Sequence, residues 1–299
     1  QISVWSVSEL GNHLKQAGNR LRLLVQIGFT ALTNGYLAGF FRGKIYTGKA
    51  KSLCVPGLNC YSCPGALGSC PIGSLQAVLA DRNYKFAFYV SGFLLLFGAV
   101  LGRFVCGWLC PFGLVQDLLH KIPFPKKLRK IPGDCWLKFL KYLILAGFVI
   151  LLPLYAVNFI GQGQPWFCKY ICPSGTLLGG WPLVSANPSL QQTIGWLFAW
   201  KNLILVVLLV LSMLIYRPFC RYLCPLGAIY GLFNPIAFYR YRINAEKCTA
   251  CGLCQRTCGL DIPVHQTPNS PECIRCGNCA KACPHQAIET PFSKSCQAD

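Results

Sequence analysis

Cysteine makes up 20 of the 299 residues, and most of these cysteines stand at short, repeated intervals. Cys248, Cys251, Cys254 and Cys258 are spaced C-x2-C-x2-C-x3-C; Cys273, Cys276, Cys279 and Cys283 repeat that spacing, with Pro284 after the last. Three thiolates so close together cap one face of a [4Fe-4S] cube, and the fourth ligand comes from the other run. Cys248, Cys251 and Cys254 with Cys283 are therefore expected to hold one cluster, and Cys273, Cys276 and Cys279 with Cys258 a second. Zinc prefers two C-x2-C pairs separated by a longer loop. Regular intervals, often followed by Pro, also distinguish these cysteines from a disulfide framework.

Upstream lie three C-x3-C-P motifs, Cys106–Cys110, Cys168–Cys172 and Cys220–Cys224. The tetrad Cys-Pro-x-Gly occurs four times, at Cys70, Cys110, Cys172 and Cys224. Proline suits the first turn of a helix, so a short helix is expected after each, over 74–80, 114–120, 176–180 and 228–233. A single C-x3-C on a helix is usually core packing, but three copies with the same Pro and Gly placement argue for ligands. Each motif supplies two thiolates, so a four-ligand cube needs two motifs brought together. The first copy is altered: Ala66 stands where a cysteine is expected, and Cys63, Cys60 and Cys54 lie upstream of it.

These turns need a frame. The chain is 54% hydrophobic and 12% charged, against about 25% charged in soluble domains. Four segments, 21–41, 86–105, 139–160 and 194–216, are apolar and near the roughly 20 residues that cross a bilayer; Gln26, Thr30, Thr33 and Asn34 interrupt the first. The expected fold is an all-α membrane bundle of about four transmembrane helices, with short re-entrant or interfacial helices after the Cys-Pro turns. A small α+β bacterial-type two-cluster ferredoxin domain follows it. The division expected is 1–240 for the membrane iron–sulfur part and 241–299 for a cytoplasmic ferredoxin.

The net charge of +19 does not mark a nucleic-acid binder, because the basic residues flank apolar segments as membrane proteins place them. Four spans put 20 Lys and Arg on the side of the termini and 8 on the other. The run Lys126, Lys127, Arg129, Lys130 contributes to the larger group. The positive-inside rule then places both termini in the cytoplasm. Spans alternate in direction, so Cys106 and Cys110 should meet Cys220 and Cys224 at the cytoplasmic end. Cys168 and Cys172 should meet the group Cys54, Cys60, Cys63 and Cys70 at the outer end. That outer set has six cysteines for four positions. Either two form a disulfide, Cys54 with Cys60 being the first pairing expected in an oxidising compartment, or the cluster uses more ligands.

Cys135 and Cys296 fit no motif. The four histidines, His13, His120, His265 and His285, do not sit in pairs on facing spans, and no Cys-x-x-Cys-His is present, which argues against a multi-haem protein. His120, Gln116 and Asp117 share a short helix that is read as an ordinary polar face, with a quinone pocket as the alternative. No Gly-rich dinucleotide motif occurs. No secretory-type leader is visible at the start, which lacks Met, so an upstream segment stays open.

The C-x3-C-P turns after apolar spans, together with the C-terminal two-cluster run, resemble the membrane polyferredoxins of the NapH/NosR/CcoG type, over about residues 50–290. The stretch Cys54–Gln76 goes beyond the simplest pattern by adding outward-facing cysteines. The resemblance implies an electron-transfer subunit of a membrane oxidoreductase complex in a prokaryotic inner membrane, multi-pass, carrying about four 4Fe-4S clusters, two in the tail and two in the membrane. The expected activity is electron transfer across the membrane. It would link a cytoplasmic ferredoxin-like or flavin donor or acceptor to an extracytoplasmic redox protein, which carries flavin in some members. Other subunits and membrane lipid complete the expected partners, and nucleic acid is excluded. Two alternatives are a quinone-reactive subunit of a NapH-like quinol dehydrogenase, and a redox sensor or metalloenzyme maturation factor.

Overall fold

The Cys-Pro pair sets the local fold. Cys70, Cys110, Cys172 and Cys224 each take an extended backbone conformation at the N-cap of a helix whose first residue is the following proline. Proline has no N–H to lose there, and its φ already suits the helix. The helices are Pro71–Leu79, Pro111–Lys121, Pro173–Gly175 and Pro225–Phe233, and the third runs on as a π-helical stretch, Thr176–Gly180. The first cysteine of each C-x3-C sits on a five-residue helix just before the turn: Phe104–Trp108, Trp166–Tyr170 or Pro218–Tyr222. These features come from a computed structural model that describes residues 7–81, 88–124, 127–129, 131–156 and 163–290, with side chains from residue 20 onward.

Among the described residues, two helices are long and apolar enough to cross a bilayer, Asp134–Tyr155 with 22 residues and Trp196–Leu214 with 19. They correspond to the expected segments 139–160 and 194–216; residues 157–160 lie outside the described set. Both turn large apolar side chains outward, among them Phe139, Leu143, Leu203, Val206 and Val210. Such a continuous apolar exterior suits contact with hydrocarbon.

The other two expected spans differ. Segment 86–105 forms the apolar helix Phe88–Leu101, only 14 residues, or about 21 Å; 86–87 are not among the described residues. It stops at Gly102, whose φ is +53°, where Asn234 Oδ1 accepts the Arg103 N–H at 2.9 Å. Segment 21–41 divides between Val7–Thr33 and Leu37–Arg42. The polar residues that interrupt it face inward: Gln26 Nε2 donates to Gly107 O at 3.0 Å. Among the described residues, two helices rather than four thus meet the length and polarity of a full span.

The tail is small and mixed. Arg242–Ile243 pairs antiparallel with Ile288–Glu289, and the helices Leu253–Thr257 and Asn278–Ala282 lie between them in sequence. It rests on the helical part. Arg103 Nη1 reaches Pro271 O at 2.8 Å, Trp108 Nε1 reaches Arg275 O at 3.1 Å, and Asn234 Nδ2 bonds the carbonyls of Ser270 and Cys273. The core of the molecule runs through the cysteine turns themselves.

Candidate iron–sulfur sites

In the tail, Cys248, Cys251, Cys254 and Cys283 line one pocket, beside Ile243, Leu253 and Ile288. Cys258, Cys273, Cys276 and Cys279 line another, beside Leu260, Ile262 and Val264. These are the two crossed sets that the spacing predicts. Each C-x2-C loop turns in the same way, with Ala250 or Arg275 at positive φ just before the second cysteine and Gly252 or Gly277 just after it. Burial pushes the Cys273 thiol up to about 12 and raises Cys258 as well. Buried thiols of that kind stay protonated in neutral solution, so a metal bound there must displace their protons.

In the helical part, Cys106, Cys110, Cys220 and Cys224 are all buried and lie within electrostatic reach of one another. Gly227 N–H donates to Cys224 Sγ at 3.4 Å, so the turn helix caps its own cysteine. A helix N-terminus favours negative charge at that position. Two buried guanidinium groups flank the set. Arg103 Nη2 donates to Cys220 O at 2.8 Å, and Arg217 Nη1 donates to Cys106 O.

Four of the remaining thiols gather at a second place in the helical part. Cys60, Cys70, Cys168 and Cys172 line a cavity of about 350 Å³, with Leu58, Tyr61, Lys169 and Lys201. A side chain at Gly175 would put its Cβ 3.6 Å from Cys60 Sγ and 3.9 Å from Cys172 Sγ. Glycine in the Cys-Pro-x-Gly turn therefore keeps the space beside the sulfurs clear. Cys60 takes the place left by Ala66. Cys54 and Cys63 are buried but do not line this cavity. The expected Cys54–Cys60 disulfide does not form: both are free. Cys60 faces the cavity, while Cys54 N–H is bonded to Tyr89 Oη at 3.1 Å.

Among the described residues, no three His, Cys, Asp or Glu side chains close on a point that would hold a single metal ion. Three of the four cysteine sets ring voids instead, and the fourth, Cys106, Cys110, Cys220 and Cys224, is gathered and buried. Four thiols around a void suit a multi-iron cluster, whereas a structural zinc draws its four ligands onto one centre. All four sets fit [4Fe-4S] clusters in donor type and number.

Cys135 is exposed and free, and Cys296 lies outside the described residues. The polar side chains of the helix bearing Gln116, Asp117 and His120 are engaged by the protein itself. Gln116 Nε2 bonds Cys220 Sγ at 3.1 Å, Asp117 is held by Arg217 and by Arg22 at 3.2 Å, and His120 Nδ1 lies 3.3 Å from Ser212 O.

The four sites stand in succession. The two tail sites share the crossed runs, and their helices Leu253–Thr257 and Asn278–Ala282 pack together. Gly107, next to Cys106, abuts Ile274, next to Cys273: a Cβ at Gly107 would lie 2.3 Å from Ile274 O. Leu58 lies between the two cysteine sets of the helical part. Its N–H faces the Cys110 sulfur, the residue lines the cavity of Cys60, Cys70, Cys168 and Cys172, and its carbonyl accepts from Ser174 Oγ at 3.3 Å. Tyr230, fully buried, donates to Pro56 O at 3.1 Å and lies within electrostatic reach of Cys106, Cys110 and Cys70. Leu58, Tyr230, Arg103, Arg217 and Gln76 were not singled out from the sequence. Only Gln76 carries a signal there: it follows Cys70 at the same interval at which Gln116 follows Cys110.

Comparison with known proteins agrees with this geometry. The chain matches a family described as "4Fe-4S binding domain" over residues 86–132, 140–185 and 196–240, and a second family of the same description over 269–289. An uncharacterised protein of Methanocaldococcus jannaschii is 30% identical over 203 residues, covering 65% of this chain and 74% of that protein. The putative electron transport protein YccM of Escherichia coli is 28% identical over 55% of this chain and 43% of its own length. The regulatory protein NosR of Pseudomonas aeruginosa is 28% identical over 58% of this chain and 22% of its own length. The chain thus spans less than half of these two named relatives. No solved structure matches it. The cysteine turns, the ferredoxin run and these relatives agree: the chain belongs to the membrane polyferredoxins, the 4Fe-4S-binding, ferredoxin-type electron-transport proteins.

Proposed function

We propose that the chain is a transmembrane electron conduit, linking a redox partner at the tail to another at the outer cavity through four [4Fe-4S] sites. The observation that carries the reading is the succession itself: four sets of four cysteines, joined in order by the packed tail helices, by Gly107 against Ile274, and by Leu58. A bound cluster of this kind takes up and releases single electrons, at potentials between about −700 and +450 mV set by its surroundings.

The protein's own residues supply the frame. The turn helices aim their N-termini at the cysteines, and Arg103, Arg217 and Lys201 place positive charge beside the two membrane sites. Leu58 and Tyr230 fill the gap between those sites and exclude water. At the tail, Cys251 is exposed, which offers a cytoplasmic partner a short approach. At the other end, the cavity around Cys60, Cys70, Cys168 and Cys172 is lined by Tyr61 and Lys169, and Tyr61 is exposed; an extracytoplasmic redox protein would dock there.

In this reading Val7–Thr33 and Phe88–Leu101 complete a four-helix membrane part within 1–240. Residues 241–299 form a cytoplasmic ferredoxin, and both termini face the cytoplasm of a prokaryotic inner membrane. Anaerobically purified protein should then carry about sixteen iron atoms, four to each cube. Cys106→Ala and Cys220→Ala should delete the same spectroscopic centre, and Cys172→Ala a different one. About eight iron atoms, with the tail intact, would remove the membrane sites from the account. Distinct centres lost in Cys106→Ala and Cys220→Ala would refute the pairing.

A further inference from the structure

Two of the four Cys-Pro-x-Gly turns carry a glutamine six residues after the cysteine, Gln76 after Cys70 and Gln116 after Cys110. Both side chains are buried, at 0% and 1% exposure, and both make the same three bonds. Gln76 Nε2 donates to Cys168 Sγ at 3.3 Å and to Ile72 O at 3.2 Å, while its Oε1 accepts from Phe167 N–H at 3.0 Å. Gln116 Nε2 donates to Cys220 Sγ at 3.1 Å and to Phe112 O at 3.4 Å, while its Oε1 accepts from Phe219 N–H at 3.2 Å.

The partner segments are alike as well: Phe167-Cys168-Lys169-Tyr170-Ile171-Cys172-Pro173 and Phe219-Cys220-Arg221-Tyr222-Leu223-Cys224-Pro225. Each membrane site is therefore one glutamine turn clamped to one phenylalanine turn. The phenylalanine N–H can meet only the amide oxygen, which fixes the NH2 end toward the sulfur. One amide hydrogen goes to the carbonyl one turn back on the same helix, and the other goes to the thiol.

We infer that Gln76 and Gln116 are positioning residues that hold the two membrane clusters at raised reduction potential, each by donating a hydrogen bond to one ligand sulfur; this rests on the four-site reading above. Reduction adds negative charge that the cluster shares with its thiolates. A donor on a ligand sulfur therefore favours the reduced state. Both glutamines are buried, so no water replaces the donor when it is removed. The same amide ties the two halves of each site together, one half bringing Cys70 or Cys110 and the other Cys168 or Cys220.

The test is potentiometric titration of the full chain in detergent, followed by electron paramagnetic resonance, for Gln116→Leu, Gln116→Glu, Gln76→Leu and Gln76→Glu. Iron content is measured first on the unsubstituted chain. Absence of two membrane centres there would overturn the four-site reading, and this inference with it. Glutamate keeps an oxygen for the phenylalanine N–H and, when ionised, replaces the donor to sulfur with a negative charge, whereas leucine removes both bonds without adding charge, so the leucine shift reads the loss of the donor alone.

The expected result is a downward shift of one membrane centre in both Gln116 variants and of the other membrane centre in both Gln76 variants, with the tail centres unmoved. Iron is retained in the glutamate variants and partly lost from the affected site in the leucine variants. An unmoved midpoint in a loaded variant, or equal shifts of all four centres, would overturn the inference. Should a variant fail to load, electron–nuclear double resonance on the unsubstituted chain after exchange into deuterated buffer decides. Each membrane centre is expected to show an exchangeable proton coupling, and its absence would overturn the inference.

Discussion

Replacing Glu272 with Gln would remove the one negative charge held between two buried cations where the tail meets the bundle. Glu272 Oε2 lies 2.9 Å from Arg103 Nη1, and its other oxygen is bonded to Lys141 Nζ. Arg103 and Lys141 are 1% and 0% exposed. At 2.9 Å, two unit charges attract by about 6 kcal/mol at an effective dielectric of about 20. Desolvation cancels much of that, and breaking a buried pair from one side costs about 3–5 kcal/mol. The Glu272 side chain keeps 13% of its exposure, so the low end applies, about 3 kcal/mol. That is roughly a hundredfold in the equilibrium between docked and undocked tail.

Limited proteolysis of the segment joining bundle and tail reads this equilibrium. Glu272→Gln should be cut far faster than the unsubstituted chain, with the exposed Glu246→Gln as the neutral control. Equal cutting rates for all three would refute the reasoning. The dependence on pH has a definite sign. Burial alone would raise the Glu272 carboxyl, but Arg103 and Lys141 outweigh it and hold it below its ordinary value. The contribution is therefore complete above the ordinary glutamate range and is lost as pH falls through the lowered value. Docking of the unsubstituted tail should weaken in acid below about pH 4, and Glu272→Gln should show no such step.

Other substitutions probe the sites themselves. Cys60→Ala should abolish the outer centre, while Cys54→Ala and Cys63→Ala should leave its spectrum intact; loss in all three would mean a cluster with more than four cysteine ligands. Gly107→Ala places a methyl 2.3 Å from Ile274 O by the present geometry, an overpacking cost of about 1–3 kcal/mol. It should slow electron exchange between tail and membrane centres, measured by rapid mixing with reductant, at unchanged iron content. Reconstitution of iron-depleted full chain should be less complete at pH 6 than at pH 8, because iron must displace protons from thiols such as Cys273, which burial pushes up to about 12; equal loading at both pH values would contradict this.

The grouping of the tail cysteines was legible because each set of three is local in sequence, and the run spacing alone implies the exchanged fourth member. The Cys-Pro turns were legible because Pro and Gly recur at fixed places and dictate a capped helix. Choosing Cys60 over Cys54 and Cys63 was out of reach, since spacing does not say which thiol an irregular segment turns toward a cavity. Gln116 was read as part of an ordinary polar helix face; its burial against Cys220 appears only once two distant turns meet. The span 86–105 looked long enough by composition, yet Gly102 and the Asn234 cap end the helix at Leu101. Hydropathy counts apolar residues and does not register where a backbone turn is required.

The central claim is electron passage from the tail through the membrane to the outer cavity. The direct test places the loaded chain in sealed vesicles with the tail outward and a redox dye enclosed. An impermeant reductant is then added outside, and the dye is followed by absorbance. The account predicts that the enclosed dye is reduced by the unsubstituted chain, and that this stops in Cys106→Ala and in Cys172→Ala while the tail centres still accept electrons. An oxidised dye in vesicles whose protein carries all four centres would contradict it.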